Sequence, residues 1–147
     1  MPLPLQGPAP SPAGKYVKIT MFLKKLPHVS DEYFHAYWAN NHVAPALKNK
    51  VFRDKVRRYN QQHITPDCRE MASKFGAPVL DYDGVAEIWV DSLDDWMTAV
   101  TDPALVAAVD GDDKNFMVQP VHVMVSFDHL ILGGEEWKPN GGRDSKL

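Results

Sequence analysis

The stretch KYVKITMFLKKLPHVSDEYFHAYWANNH, residues 15–42, predicts a β-strand followed by a helix. Residues 15–23 have the two-residue period of a half-buried strand, with Val17, Ile19, Met21 and Leu23 on one side. Ser30 is a favourable helix N-cap, and the two acidic residues after it suit the positive end of a helix dipole. We expect the helix to end near Asn41 or His42, because Pro45 disfavours helical geometry in the residue before it.

The rest of the chain extends this beginning to a β-α-β-β-α-β order. Alternation predicts a second strand over 55–63, GVAEIWVD at 84–91 predicts a third, and residues 120–132 predict a fourth. Helices are expected after the N-caps Ser92 and Asp102, and the segment 65–83 is irregular or holds a short helix. This order indicates an α+β, ferredoxin-like fold, in which a four-stranded antiparallel sheet carries its helices on one face.

Composition sets the limits of organisation. The 147 residues suit one domain, over about 15–132, between a Pro-rich arm at 1–14, expected to be disordered, and a flexible tail at 133–147. With a net charge of -3 and interleaved signs, we expect no nucleic-acid partner. No apolar run is long enough to span a membrane, and the prolines of the arm argue against a secretory signal. Lone Cys68 receives no role.

The last three residues, Ser145, Lys146 and Leu147, match the address read by the peroxisomal import receptor. A polar, Gly-rich spacer before them would expose the tripeptide to a receptor. The sequence therefore predicts a peroxisomal location, with a chance ending and a cytoplasmic protein as the alternative.

The face of the sheet away from the helices is predicted to carry one parity of each strand. Its members are Lys18, Thr20, Phe22, Tyr59, Gln61, His63, Val85, Glu87, Trp89, His122, Met124 and Ser126. This is too much apolar surface to leave in water, so we expect a homodimer, sheet against sheet, that encloses a cavity. Aromatic walls with a few polar groups suit a planar organic ligand.

Histidines supply the candidate chemistry of that cavity. His42, at the end of its helix, is expected to reach the cavity mouth, and His63 and His122 point inward in the predicted alternation. Two such imidazoles form an acid–base pair without a metal, although each could equally be a structural histidine. Glu87 could orient an imidazole or pair with Lys18. No compact metal-ligand spacing occurs, so neither a metal nor another cofactor is expected.

Three motifs in order carry a resemblance to a known family: a loose F-x-x-Y-W-x-x-x-H pattern at 34–42, RRYNQQH at 57–63, and the D-G-x-A-E opening of the third strand at 83–87. Over about residues 15–132, the chain resembles the EthD-domain proteins of the dimeric α+β barrel superfamily. More narrowly, it is similar to small fungal EthD-domain proteins found beside aromatic polyketide synthases. The prolyl arm and the SKL ending depart from that pattern.

The resemblance implies cofactor-free chemistry on polycyclic aromatic polyketides in a homodimer. It implies lyase reactions that remove carbon dioxide in some relatives and water in others, with functional histidines at His42 and His63. Of the two reactions, we expect decarboxylation of an anthrone-type carboxylic acid, with His42 and His63 as the acid–base pair and His122, from the predicted strand face, as a further polar contact. The expected substrate-binding residues are Phe22, Tyr59, Gln61, Glu87, Trp89 and Met124. Three alternatives stay open: a dehydratase that aromatises a ring, a cofactor-independent anthrone oxygenase, and a non-catalytic polyketide binder.

Overall fold

A computed structural model describes residues 1–134 of the chain. Residues 1–14 are exposed and contain no helix or strand. The predicted targeting tripeptide, Ser145 to Leu147, and most of the predicted tail lie outside the described residues. The strands are β1 (Val17–Leu23), β2 (Val56–His63), β3 (Gly84–Val90) and β4 (His122–Ser126). The helices are α1 (Asp31–Ala36), α2 (Ala44–Lys48), α3 (Lys50–Lys55), α4 (Pro66–Ser73), α5 (Leu93–Val100) and α6 (Pro103–Val109).

The four strands form one antiparallel sheet in the order β2-β3-β1-β4. This is the predicted ferredoxin-like arrangement, with the first and third strands at the centre. Strand β4 is shorter than the predicted segment 120–132 and lies at an edge. Within residues 1–134, no helix is long and apolar enough to cross a membrane.

One face of the sheet packs against helices. Ile19 and Ile88, paired across β1 and β3, join Phe52 of α3, Ala99 of α5 and Leu105 of α6 in one buried cluster. A second cluster places the rings of Phe34, Trp38 and Phe116 against Leu23 and Ala86 of the sheet. Alternate apolar residues of β1 and β3 therefore face the helices, as predicted.

The predicted helix over 31–42 changes character half-way. The Ser30 side chain accepts a hydrogen bond from the backbone N–H of Tyr33, so the predicted cap is confirmed. Helix α1 then continues as a π-helix over Tyr37–His42 and ends at the predicted residue. Pro45 lies in the first turn of α2, where the missing N–H costs no hydrogen bond. The sequence analysis did not anticipate α2 and α3.

In most of strand β2, the side chains face the opposite side of the sheet from the one predicted. Val56 pairs with Val90, but Arg58 pairs with Trp89, so Arg57 is an extra residue in a β-bulge. The bulge reverses the alternation of every later residue in the strand. Tyr59 therefore pairs with Ile88 on the helix side. The prediction that Tyr59, Gln61 and His63 lie on the second face was wrong.

The second face is more polar than predicted, because the bulge brings Arg58, Asn60 and Gln62 there instead. Trp89 is only 5% exposed in the single chain. Its ring lies under Lys18 Nζ at 4.8 Å from the ring centroid and under the Arg58 guanidinium at 5.1 Å. Long charged side chains thus cover the central aromatic residue of this face, as their aliphatic stems allow.

Candidate active site between the helices and the sheet

A cavity of about 220 Å³ lies on the helix side of the sheet. Strands β1, β2 and β3 form its floor through Met21, Leu23, Tyr59, Ala86 and Ile88. Its roof comes from helical residues, among them Trp38, Val43, Ala46, Phe52, Trp96 and Leu105. A histidine and a carboxylic acid, His42 and Asp113, interrupt these apolar walls. An apolar cavity with a few polar groups is the usual form of a small-molecule site.

His42 is held by a carboxylate. Its Nδ1 lies 2.6 Å from Oδ2 of Asp112, and the Tyr37 hydroxyl donates to Oδ1 of the same carboxylate at 2.6 Å. Asn115 Nδ2 donates to the Tyr37 oxygen at 3.0 Å. The buried Phe116 ring packs against both Tyr37 and His42, with centroids 5.2 and 5.0 Å away. Contacts on several sides therefore fix the imidazole.

The π-helix explains why Tyr37 and His42 reach one carboxylate. In an α-helix, residues five apart point about 140° away from each other. The i→i+5 hydrogen bonding of a π-helix places them nearly above one another. Tyr37 and His42 are the first and last residues of the π-helical segment. The local widening of the helix thus builds the site.

Asp112 determines which ring nitrogen of His42 carries a proton. Burial opposes ionisation of Asp112, but the hydrogen bonds from Tyr37 and His42 outweigh it and hold the pKa of the carboxyl below its ordinary value. An ionised carboxylate only accepts hydrogen bonds, so Nδ1 of His42 carries a proton. The other ring nitrogen, Nε2, is then the one that exchanges protons with a ligand.

Asp113 is the carboxylic acid that lines the cavity. Burial raises the pKa of the Asp113 carboxyl, against the opposing effect of His42, and the charge of Asp112 adds to the rise. Gln119 Nε2 donates to Oδ2 of Asp113 at 2.7 Å. Two adjacent carboxyls with opposite pKa shifts are typical of a pair that divides acid and base roles.

The same three residues could bind a metal ion. Ligand atoms of His42, Asp112 and Asp113 all lie within 4.8 Å of one another. Both Asp112 oxygens, however, already accept hydrogen bonds, one of them from the imidazole itself. A cation would have to break these hydrogen bonds, so the arrangement fits proton transfer better than metal binding.

His63 lines a different space. It borders a surface cleft of about 400 Å³ together with Tyr59 and Gln61. Its Nδ1 lies 2.7 Å from Nδ1 of His35, and its Nε2 lies 2.9 Å from Oε1 of Gln61. Burial lowers the pKa of His63, and the neighbouring His35 lowers it further. The structure therefore does not bring His63 and His42 together in one cavity.

The remaining predicted site residues lie on the second face of the sheet, away from the cavity. Glu87 forms an ion pair with Lys18 at 2.7 Å and accepts hydrogen bonds from Asn60 and Gln62. His122 is exposed, with Nδ1 2.7 Å from the Tyr82 hydroxyl. It borders a surface cleft with Phe22, while Met124 is 48% exposed. Of the predicted catalytic and binding residues, His42 and Tyr59 line the helix-side cavity.

The sequence analysis missed Asp112 and Asp113. They follow Gly111, whose φ of 71° forms the left-handed turn that leads into a short 3₁₀-helix, Asp112–Asn115. An acidic pair directly after such a turn, just before the last strand, was the available signal. The pairing with a histidine 70 residues earlier depends on the fold.

Comparison with family models shows where these residues belong. The model of the EthD domain matches residues 26–120, about two thirds of the chain. The chain belongs to the EthD domain family. The matched range contains the π-helix and both aspartates, so the whole His42 site lies within the EthD domain. Comparison with curated proteins gives no match.

Solved structures share the fold of this EthD domain at low sequence identity. An ethyl tert-butyl ether D (EthD) family protein from Bacillus halodurans has 16% identity and a TM-score of 0.51, over 76% of this chain and 96% of its own. A dimeric protein of unknown function and ferredoxin-like fold from Bacteroides fragilis has 15% identity and a TM-score of 0.52, over 77% and 96%. A hydroxynitrile lyase from Passiflora edulis has 9% identity and a TM-score of 0.51, over 81% and 98%.

Proposed function

We propose that this protein is a cofactor-free lyase that decarboxylates an aromatic polyketide carboxylic acid, with His42 as the proton donor. The observation that carries the proposal is the Asp112–His42 pair at the wall of an apolar, helix-side cavity. Membership of the EthD family and the shared fold of a hydroxynitrile lyase support a small lyase. The polyketide substrate rests on the resemblance of the three sequence motifs.

The cavity suits a reaction in which a carboxylate loses its charge. Among the described residues, no lysine or arginine lines it, so the His42 imidazolium is the cation available to a bound carboxylate, and a carboxylate turned toward the apolar walls is poorly stabilised. When the bond to carbon dioxide breaks, the electron pair passes into the conjugated ketone as an enolate. The proton on Nε2 of the His42 imidazolium goes to that enolate, and solvent reprotonates the imidazole afterwards. Asp112 stabilises the imidazolium throughout.

Dehydration is the second candidate, and Asp113 favours it. A carboxyl whose pKa is raised by burial keeps its proton to higher pH and can donate it to a departing hydroxyl. His42, in its neutral form, would then remove the proton α to the carbonyl. The two reactions use the same residues and differ in the group that leaves.

Mass spectrometry of reaction mixtures tests the proposal. Purified protein with a chelator is incubated with an anthrone-type carboxylic acid, and separately with a hydroxylated, not yet aromatised polyketide. We expect loss of carbon dioxide from the first, abolished by His42→Ala and retained by the control His28→Ala, which alters an exposed histidine. Loss of water from the second would favour the dehydratase. Uptake of oxygen, no mass change, or activity that needs an added divalent cation would each contradict the proposal.

We also infer that the protein assembles as a homodimer through β4 and the second face of the sheet. Strand β4 is exposed on both sides, with Val123, Met124 and Val125 between 48% and 58% exposed. Apolar residues exposed in a row on an edge strand favour association with another chain. The dimeric protein of similar fold from Bacteroides fragilis supports this assembly. The residues that line the helix-side cavity belong to one chain, so we expect the His42 site to be complete within each copy.

The peroxisomal address at the C-terminus remains a proposal. A fluorescent fusion that keeps Ser145 to Leu147 at the free C-terminus should localise to peroxisomes, and the same fusion without these residues should not. A diffuse distribution of both fusions would contradict the targeting function.

A further inference from the structure

Two spaces in this part of the protein border one another. The helix-side cavity and the surface cleft that contains His63 share three lining residues, Val43, Ala46 and Tyr59. These residues therefore form the partition between the two spaces, which we call the neck. Ala46 contributes only a single methyl group to this partition.

The helical side of the neck is only partly buried. Helix α2, which carries Ala46, has five residues, and none of them is buried. Leu47, beside Ala46, is 55% exposed. On the opposite side, the ring of Tyr59 packs against Phe52, with centroids 6.3 Å apart. A ligand would thus pass between a weakly covered short helix and an aromatic ring held in the core.

The cavity alone is small for the proposed substrate. Its volume of about 220 Å³ is below the range of about 300–1,000 Å³ typical of sites for drug-sized ligands. The cleft beyond the neck adds about 400 Å³. A polycyclic molecule that places one end beside His42 must therefore place its other end outside the cavity.

The cleft offers neutral hydrogen-bonding groups. Gln61 Nε2 donates to the Tyr59 oxygen at 3.3 Å and to the backbone carbonyl of Trp38 at 3.2 Å. The Gln61 oxygen faces His63, whose lowered pKa favours the uncharged imidazole near pH 7. Hydroxyl and carbonyl groups match such partners better than a charged group does.

We propose that the cavity and the cleft form one binding site joined through the neck, and that Ala46 is the residue that limits ligand length. The ligand class is a planar polycyclic aromatic whose carboxyl-bearing ring lies in the cavity beside His42 and whose opposite end carries hydroxyl or carbonyl groups that lie against Gln61 and His63. This inference deepens the proposed function and rests on it for the choice of ligand.

Calorimetric titration with two probes tests the joined site without requiring turnover. The short probe is a hydroxynaphthoic acid, and the long probe is a hydroxylated anthraquinone carboxylic acid. Ala46→Leu should fill the neck and weaken binding of the long probe about tenfold or more, because a ligand cannot displace packed side chains without strain. Binding of the short probe should change by less than about twofold, since it fits within the cavity. Val43→Ala, which widens the neck, should strengthen binding of the long probe.

Ala107→Leu is the matched control, because Ala107 is exposed on α6 and lines neither space. It should leave the affinity for both probes unchanged. Equal weakening of both probes by Ala46→Leu, no effect on either, or failure of the wild-type protein to bind the long probe would overturn the inference. Tight binding of both probes without any conversion of the anthrone-type acid would contradict the lyase proposal and leave the joined site in place.

Discussion

His42 depends on Asp112 for its tautomer, its orientation and the stability of its charged form. Asp112→Asn would replace one acceptor oxygen by an amide that donates, although Tyr37 and His42 both donate to this side chain. One of the two hydrogen bonds must then be lost. We expect kcat to fall by about 10²–10⁴-fold, the usual contribution of a positioned acid–base group.

The pH profile separates this role of Asp112 from a structural one. Loss of the negative charge destabilises the imidazolium, so the alkaline limb of the kcat/KM profile should move to lower pH. Asp110→Asn is the control, since Asp110 is exposed at the end of α6 and lies two residues away. An unchanged profile in Asp112→Asn, with the rate merely scaled down, would count against the proposed proton donor.

A second prediction for a single residue concerns the stability of the protein and the close packing of Gly84. A Cβ on Gly84 would lie 2.8 Å from Cη2 of Trp38, closer than atoms in real proteins approach. Trp38 is fully buried, so its ring can yield only by moving toward the cavity that it lines, away from its packed neighbours. Gly84→Ala should therefore lower the free energy of unfolding by about 1–3 kcal/mol.

Denaturant unfolding measures this effect, with Gly7→Ala as control, because no atom lies within 4 Å of the Cβ built there. A neutral Gly84→Ala would show that the indole and the strand can separate at little cost. Loss of activity in the Gly84 variant is also expected, since Trp38 is part of the cavity wall.

At the scale of elements, the sequence predicted the order and most of the caps, because these depend on local chemistry. Ser92 and Asp102 accept hydrogen bonds from the backbone N–H groups of Asp95 and Leu105, as their positions indicated. The bulge at Arg57 was not predictable in this way. Because residues 57 and 58 are both arginine, the sequence does not show which of them faces away from the helices. Burial of Tyr59 on the helix side and the pairing of Arg58 with Trp89 decide the position of the bulge.

Two single-residue deletions in β2 test the bulge. Deleting Arg57 would make the strand regular while Val56 and Tyr59 keep their present faces. The deletion also removes the ion pair between Arg57 and Asp91. This deletion should cost little beyond the about 0–1 kcal/mol typical of a partly exposed ion pair. Deleting Asn60 instead would move Gln61 and His63 to the second face and bring Gln62 into the core side.

In thermal unfolding, the Arg57 deletion should therefore keep a cooperative transition near the wild-type midpoint temperature. The Asn60 deletion should lose the cooperative transition or have a much lower midpoint temperature. The two variants have the same length and alter the same strand, so general effects of shortening cancel. Equal destabilisation by both deletions would show that the bulge itself supports the sheet.

In the whole molecule, the two faces of the sheet have different proposed roles. Chemistry is proposed on the helix side, whereas the second face carries an ion-pair network around Glu87 and an exposed edge strand. The sequence analysis placed both functions on the second face, because the apolar surface predicted there indicated a partner copy and a cavity between the two copies. It did not predict a cavity on the helix side, because the size of such a cavity depends on side-chain volumes that alternation does not reveal.

The proposed dimer can be tested without disturbing that cavity. Met124, 48% exposed, lies on the second face opposite Thr20, and Met124→Glu would place a carboxylate in the interface of each copy. Burying an unpaired charge is costly, so the variant should be monomeric while the wild-type protein has twice the chain mass by light scattering at micromolar concentration. Val106→Glu is the matched control, because Val106 is 49% exposed on α6 and its replacement should leave the dimer intact.

A monomeric wild-type protein would contradict the proposed assembly, and a dimer that survives Met124→Glu would assign the interface to another surface. Because residues of one chain line the His42 cavity, the monomeric variant should keep its activity, and this outcome would separate assembly from catalysis.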